Sequence, residues 1–214
     1  ILFEPQFNFG SGSFSEFADF ETRQTVLGNN EETYAVNDGY NSNKGWNKNW
    51  STSGFLLLRQ KLGKQGRTIS ANVRYSFSNN EMLGFNQSLT QVKGENDVWN
   101  PEIVNQRFDQ SSKSASINGR VVYTEPITDF FFFEANYNYG WSRNITDKKT
   151  FNSGTDVITN GLLEYMPSGE VADSRYSNYI LNRSITHRAG FNFSYQKEKI
   201  RAQLGVSANP TDTY

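Results

Sequence analysis

Arg67-Thr68-Ile69-Ser70-Ala71-Asn72-Val73-Arg74-Tyr75-Ser76-Phe77-Ser78-Asn79 alternates without a break: each odd position from Ile69 to Phe77 is apolar, and each even position from Thr68 to Ser78 is polar. Successive strand side chains point to opposite faces, so this segment predicts a strand with one apolar and one polar face. Residues 67–79, at about 3.3 Å each and tilted by about 45°, rise roughly 30 Å, the thickness of a bilayer's hydrocarbon core.

The same period recurs outward from there. In 114–124, Ala115, Ile117, Gly119, Val121 and Tyr123 oppose Ser116, Asn118 and Arg120, with Val122 as the exception. In 129–142, Phe131, Phe133, Ala135, Tyr137, Tyr139 and Trp141 oppose Glu134, Asn136, Asn138, Gly140 and Ser142, while Phe130 and Phe132 break the polar face. Residues 200–209 set Ile200, Ala202, Leu204, Val206 and Ala208 against Arg201, Gln203, Gly205, Ser207 and Asn209, and 188–196 place Ala189, Phe191, Phe193 and Tyr195 on one side. Phe3, Pro5, Phe7 and Phe9 alternate with Glu4, Gln6 and Asn8, although Pro5 lacks the donor a ladder wants. Segments 14–24 and 50–61 are less regular, the run Phe55-Leu56-Leu57-Leu58 hiding the period. About eight strands are expected.

Connections of two kinds separate these segments. Gly10-Ser11-Gly12-Ser13, residues 62–66, Glu125-Pro126-Ile127-Thr128 and Lys197-Glu198-Lys199 read as tight hairpin links. Residues 26–49, 80–113 and 143–183 read as long polar loops. Strict alternation of short and long predicts an antiparallel transmembrane β-barrel built from four hairpins, with short periplasmic turns and long extracellular loops. On this reading Ile69, Val73, Tyr75, Phe77, Ile117, Val121, Tyr123, Phe133, Tyr137, Tyr139, Trp141, Phe191, Phe193, Leu204 and Val206 face lipid. Asn72, Arg74, Asn118, Arg120, Glu134, Asn136, Arg201 and Gln203 face the lumen. Tyr75, Phe77, Tyr137, Tyr139 and Trp141 would form an outer aromatic girdle, with Tyr123, Tyr195 and Phe131 in an inner one.

Composition agrees. Aromatic residues make up 15%, with 17 Phe and 11 Tyr, while the mean hydropathy is −0.69. No apolar run exceeds residues 130–133, so helical spans, which need about 20 apolar residues, are excluded. With no cysteine there is no disulfide framework, thiol catalysis or sulfur-ligated zinc. A net charge of −1 without dense runs of either sign gives no footprint for nucleic acid. No signal-type stretch opens the chain, and Ile1-Leu2-Phe3 already reads as strand, so 1–214 is expected to be part of a barrel domain without its signal peptide or plug.

Val121-Val122-Tyr123-Thr124-Glu125-Pro126-Ile127, followed by Phe133-Glu134-Ala135-Asn136-Tyr137-Asn138-Tyr139, resembles a strand-turn-strand of the Bacteroidetes-type outer-membrane β-barrel family, the TonB-dependent receptor-like proteins. Asn105-Gln106-Arg107-Phe108-Asp109 and Thr186-His187-Arg188-Ala189-Gly190-Phe191-Asn192-Phe193-Ser194-Tyr195 are similar to further segments of that family. The resemblance covers roughly the second half of the chain. It implies a receptor with a barrel of about 22 strands, a plug and a TonB-contacting segment, hence TonB-dependent nutrient uptake in the outer membrane, with the TonB complex and a surface lipoprotein as partners. Two other readings fit the alternation: a soluble β-sandwich binding module, and a small self-closed eight-stranded barrel with a structural or adhesive role.

Candidate chemistry is sparse. His187 is the lone histidine, so a histidine triad or multi-histidine metal site is excluded, and a structural or interface role is expected. Glu31-Glu32 and the pair Glu95 and Asp97 are expected in solvated loops rather than in general acid–base work. No enzyme and no cofactor are expected; the one metal considered is calcium at the oxygen-rich stretches 38–43 and 147–156, neither with EF-hand spacing. Asn49, Asn86, Asn144 and Asn182 match the glycosylation pattern by chance. Lumenal Arg74, Arg120, Glu134 and Arg201 suit pairing with a plug or steering an anionic solute, and Tyr34, Tyr40, Trp46, Trp99, Tyr165 and Tyr176 are expected in loops at the mouth, packed there or stacked on a sugar or siderophore.

Overall fold

The structure, a computed structural model, describes residues 1–26, 32–63, 65–94, 98–197 and 200–214. It is all-β and antiparallel, with no helix among the described residues. β1 (Leu2–Val26), β2 (Glu32–Lys61), β3 (Thr68–Lys93), β4 (Trp99–Pro126), β5 (Phe131–Asn152), β9 (Asn178–Lys197) and β10 (Ile200–Ala208) lie side by side in that order as a meander. β6 (Val157–Thr159) and β7 (Leu162–Glu164) form a separate hairpin closed by Asn160 and Gly161, both at positive φ (53° and 80°), as a tight primed turn requires. β8 (Val171–Ala172) adds to the end of β5, and β11 (Thr211–Thr213) to β9.

The turn end of the sheet matches expectation. Gly63 and Gly66, at φ 64° and 85°, carry the β2–β3 link. Between β4 and β5, the Thr128 hydroxyl accepts from the amides of Phe130 and Phe131 at 3.3 and 3.1 Å. Residues 198–199, part of the link expected between β9 and β10, lie outside the described residues, as do Glu31, Glu95 and Asp97.

Two expectations fail, and two alternatives are closed off. Gly10-Ser11-Gly12-Ser13 is not a turn: 3–9 and 14–24 are one strand, β1, paired without interruption through Gly10↔Asn49 and Gly12↔Asn47. Those glycines make room rather than bend the chain, since a Cβ on Gly10 would lie 2.6 Å from Asn49 Oδ1 and one on Gly12 3.0 Å from Asn47 Oδ1. The long sheet therefore has seven main strands rather than eight.

Next, 80–93, 99–113 and most of 26–49 are strand, not loop. β2 pairs with β3 from Asn37↔Val92 to Lys61↔Thr68, and β3 with β4 from Lys93↔Trp99 to Thr68↔Thr124. Of 143–183, only 153–177 connects, carrying the three short strands. Loop length is thus not strictly sorted; what distinguishes the far end is the reach of the strands. β3, at 26 residues, extends about 85 Å, more than twice the 9–11 residues a bilayer needs.

Last, the sheet does not close on itself, because β1 pairs only with β2 and β10 only with β9. The self-closed eight-stranded barrel is not formed. Pro5 is tolerated because β1 is the edge strand. Nor is there a sandwich: the long strands form one layer, and the accessible surface is 15,000 Å², against about 10,000 Å² for a compact chain of this mass.

Candidate functional site

Cross-strand register turns the sequence alternation into two continuous faces. One carries the rows Phe3–Leu56–Val73–Gly119–Tyr139–His187, Leu58–Ala71–Val121–Tyr137–Ala189–Ala208 and Ile69–Tyr123–Ala135–Phe191–Val206. The row beyond Val73 adds Tyr75, Ile117, Trp141 and Ile185, and the turn end adds Phe133, Phe193 and Leu204. In the four rows from Tyr75 to Ile69 the seven long strands place no Asp, Glu, Lys or Arg on that face, and the first such residue toward the turns is Glu125, opposite Phe133. Nothing among the described residues covers it: Tyr137 is 45% exposed, Leu204 72% and Val206 73%. All residues expected on the apolar side are on it, with Phe77 one row beyond the band.

Aromatic rings tile this face. Phe133 lies 5.9 Å from Phe191 and 5.1 Å from Phe193, and Phe131 lies 4.9 Å from Tyr195. Tyr75 lies over Gly54, where a Cβ would meet its ring at 2.5 Å. His187 also belongs here, with Nδ1 2.8 Å from the Tyr137 hydroxyl and its ring 5.4 Å from Tyr139, a structural place for the lone histidine.

The opposite face is mainly polar in the same band, interrupted by Phe55, Leu57 and Val122. Ser53–Ser76–Ser116–Ser142–Ser184 is one row, and Asn72–Arg120–Asn138–Arg188 is another. A groove of about 620 Å³ opens over Gly140, lined by Arg74, Arg120 and Arg188 with Asn72, Asn118 and Asn138. Arg74 lies over the Phe55 ring at 5.0 Å. Glu134 accepts from Asn192 Nδ2 at 3.1 Å, and Asn136 fills the space above Gly190. Arg201 and Gln203 are on β10 opposite Gln196 and Ser194. The structure therefore keeps every residue expected on the polar face and adds Thr186 and Arg188, of which period-2 counting on 188–196 could have supplied Arg188.

Charge at the turn-end rim is neutralised: Arg67 donates to Glu125 through Nε at 2.7 Å and through a terminal nitrogen at 2.8 Å, and the Tyr123 hydroxyl donates to the same carboxylate.

Toward the far end the strands carry a second construction that the sequence did not reveal. The β6–β7 hairpin covers the apolar-face side of β2 and β3, where Tyr40, Leu89 and Leu163 are buried together. The Leu163 amide donates to the Tyr40 hydroxyl, and Gln87 Nε2 donates to Asn105 Oδ1 and the Leu163 carbonyl, each at 3.0 Å. Beside it Arg107 donates to Glu170 at 3.2 and 2.7 Å, and Tyr165 donates to Glu170 at 2.6 Å. Hydrogen bonds from Arg107 and then Tyr165 hold the Glu170 carboxyl below its ordinary range. Burial, reinforced by Glu170, pushes the Tyr165 phenol up to about 12.

Of the residues expected in loops, Tyr165 and Tyr176 lie in the 153–177 connection, whereas Tyr34, Tyr40, Trp46 and Trp99 are in strands. Asn49, Asn86, Asn144 and Asn182 are also strand residues, as is the stretch 38–43. Asp156 accepts from Asn105 at 3.3 Å, and no cluster of three or more acidic or imidazole side chains forms among the described residues.

No protein-family model, curated protein or solved structure matches the chain.

Proposed function

We propose that this chain is a run of staves from an outer-membrane β-barrel receptor, with its apolar face against lipid and its polar face lining a watery lumen. The observation that carries the reading is the band of four rows from Tyr75 to Ile69, free of Asp, Glu, Lys and Arg on one face, rich in Ser, Asn and Arg on the other, and covered on neither. Soluble monomers keep contiguous exposed apolar patches to a few hundred Å², whereas a barrel wall requires such a face, about 25 Å tall. From Ile69 to Phe77 the alternation spans about 27 Å along the strand, a height of about 20 Å after tilting.

The open edges of β1 and β10 would pair with the remainder of the barrel, and a plug would fill part of its bore. The likeness of 121–139 and 186–195 to TonB-dependent receptor-like barrels supports uptake of a nutrient too large for simple porins, driven by the TonB complex and served by a surface lipoprotein.

Residues 1–214 contribute no cysteine of their own to compete for a label. Single spin labels at Val73→Cys, Tyr137→Cys and Leu204→Cys in the full-length protein in bilayers should collide more with dissolved oxygen than with a water-soluble nickel chelate. Ser116→Cys and Asn138→Cys should show the reverse. Equal access of the nickel chelate to both sets overturns the proposal.

A further inference from the structure

The two rims of the apolar band are charged differently. At the turn end the band stops at Arg67, whose guanidinium is held in two hydrogen bonds by Glu125. At the far end it stops at Arg143 and Arg183, which face each other directly across β5 and β9. Like charges opposed in an antiparallel pair repel. Ala115, on β4, is the partner of Arg143, and Lys113 follows two positions along the same face. No hydrogen bond or ion pair to another side chain engages Arg143, Arg183 or Lys113 among the described residues. Glu81 on β3 and Asp147 on β5, one row beyond Lys113, and Asp212, on β11 beside Ile185, are the acidic residues nearest by register, and none pairs with them.

Apolar grooves flank the cations. A groove of about 420 Å³ is lined by Trp50, Phe77, Trp141 and Ile145 together with Lys113 and Arg143. Beyond Arg183, one of about 390 Å³ is lined by Leu181, Ile185 and Tyr214. Three cations without counter-ions, at the height where the charge-free band ends and between slots for hydrocarbon, match the chemistry of an amphiphile with an anionic head.

We infer that Arg143, Arg183 and Lys113 form a site for the phosphate headgroup of an anionic lipid, whose acyl chains lie in the grooves on either side. This rests on the membrane-facing reading of the apolar face proposed above. Guanidinium groups bind phosphate through paired N–H donors, and a phosphate between Arg143 and Arg183 turns their repulsion into a bridge. The turn end has apolar surface with the cation Lys197, held over the Phe130 ring, and the polar-face arginines Arg120 and Arg188 line a groove of Asn and Ser, so among the described residues this rim is where three cations sit between apolar slots.

The test uses the full-length protein purified in neutral detergent, with retained lipid counted by native mass spectrometry after adding phosphatidylglycerol, phosphatidylcholine or inorganic phosphate. The wild type should retain phosphatidylglycerol about ten- to thirty-fold better than phosphatidylcholine. Arg143→Gln with Arg183→Gln should bring the two lipids to parity, whereas Arg120→Gln with Arg188→Gln should leave the preference intact. In detergent alone Arg143→Gln should raise the thermal midpoint by relieving the repulsion, and in phosphatidylglycerol it should lower it. The inference is overturned if the rim variant keeps the wild-type preference, if the polar-face variant loses it equally, or if inorganic phosphate alone reproduces the stabilisation. Failure here with the spin-label pattern intact removes only the headgroup site; loss of that pattern removes the membrane reading itself.

Discussion

Strands β1 to β5 pass through two regions on one continuous ladder, and the regions obey different rules. In the band near the turns, Val73 and Val121 on one face oppose Asn72 and Arg120 on the other. Toward the far end, the row Asn43–Asn86–Gln106–Asn152 is amide-rich on the polar-face side, but the other side mixes Trp46, Lys48, Glu81, Leu83 and Asp109. The hydrogen bonding does not change between them; the side-chain alternation does. Alternation therefore records an asymmetric environment around a strand rather than the strand itself. A strand wet on both sides reads like a loop.

The sharpest way to break this comparison is to put the same charge on the same face in both regions. Val121→Arg should cost about 2–4 kcal/mol in urea unfolding from bilayers, while Ser111→Arg, ten register pairs away beside Glu81 and Asp147, should stay within about 0.5 kcal/mol. Equal costs would mean that the two regions share one environment.

A smaller effect is expected where the far region relies on glycine. Phe14 and Phe108 lie over Gly45 and Gly84, which are adjacent in one row. A Cβ on Gly84 would fall 2.5 Å from the Phe108 ring and 2.8 Å from the Lys44 carbonyl. Gly84→Val should therefore cost about 1–3 kcal/mol by overpacking. At Gly119, in the band, a Cβ meets nothing within 4 Å, so Gly119→Val should leave the melting temperature unchanged or raised.

The cover over the far region should respond to pH. Glu170 is held below its ordinary pKa by Arg107 and Tyr165, so its contribution is present above the usual carboxylate range and is lost as pH falls through the depressed value. The phenol of Tyr165, pushed up to about 12, contributes below its ordinary value near 10 and loses that contribution as pH rises toward 12. Proteolysis within 153–177 should accelerate at both extremes while the band stays protected, and Glu170→Gln should abolish the acid limb. The smallest effect is expected at Gly10: the near neighbour is a flexible asparagine end, so Gly10→Ala should shift stability by less than about 0.5 kcal/mol. A larger loss would restore the turn reading.

Legibility followed the same division. The strands through Ile69, Val121, Tyr137 and Leu204, both faces and the links at 62–66 and 125–128 could be read because each strand in the band alternates along its length. Asn37 to Asn49 could not, since Asn, Ser, Gly and Lys dominate it and strand formers are few, nor could Asn80 to Lys93 and Trp99 to Lys113, where apolar residues such as Met82, Leu83, Ile103 and Val104 fall side by side and hide the period. Gly10 and Gly12 misled because a glycine that admits an asparagine from the next strand looks, in sequence, like one that bends the chain. The Arg107–Glu170–Tyr165 cluster joins residues 63 positions apart and has no local signature.

The strand order also bears on how the protein assembles. Among the long pairings, only β5–β9 spans an extended detour, residues 153–177; the others join strands that follow one another closely. Closing a link about five times longer adds about 1.4 kcal/mol of chain entropy. Hairpins β1–β2, β3–β4 and β9–β10 should zip first, and the junction at β5–β9 should be the last seam to gain amide protection during folding.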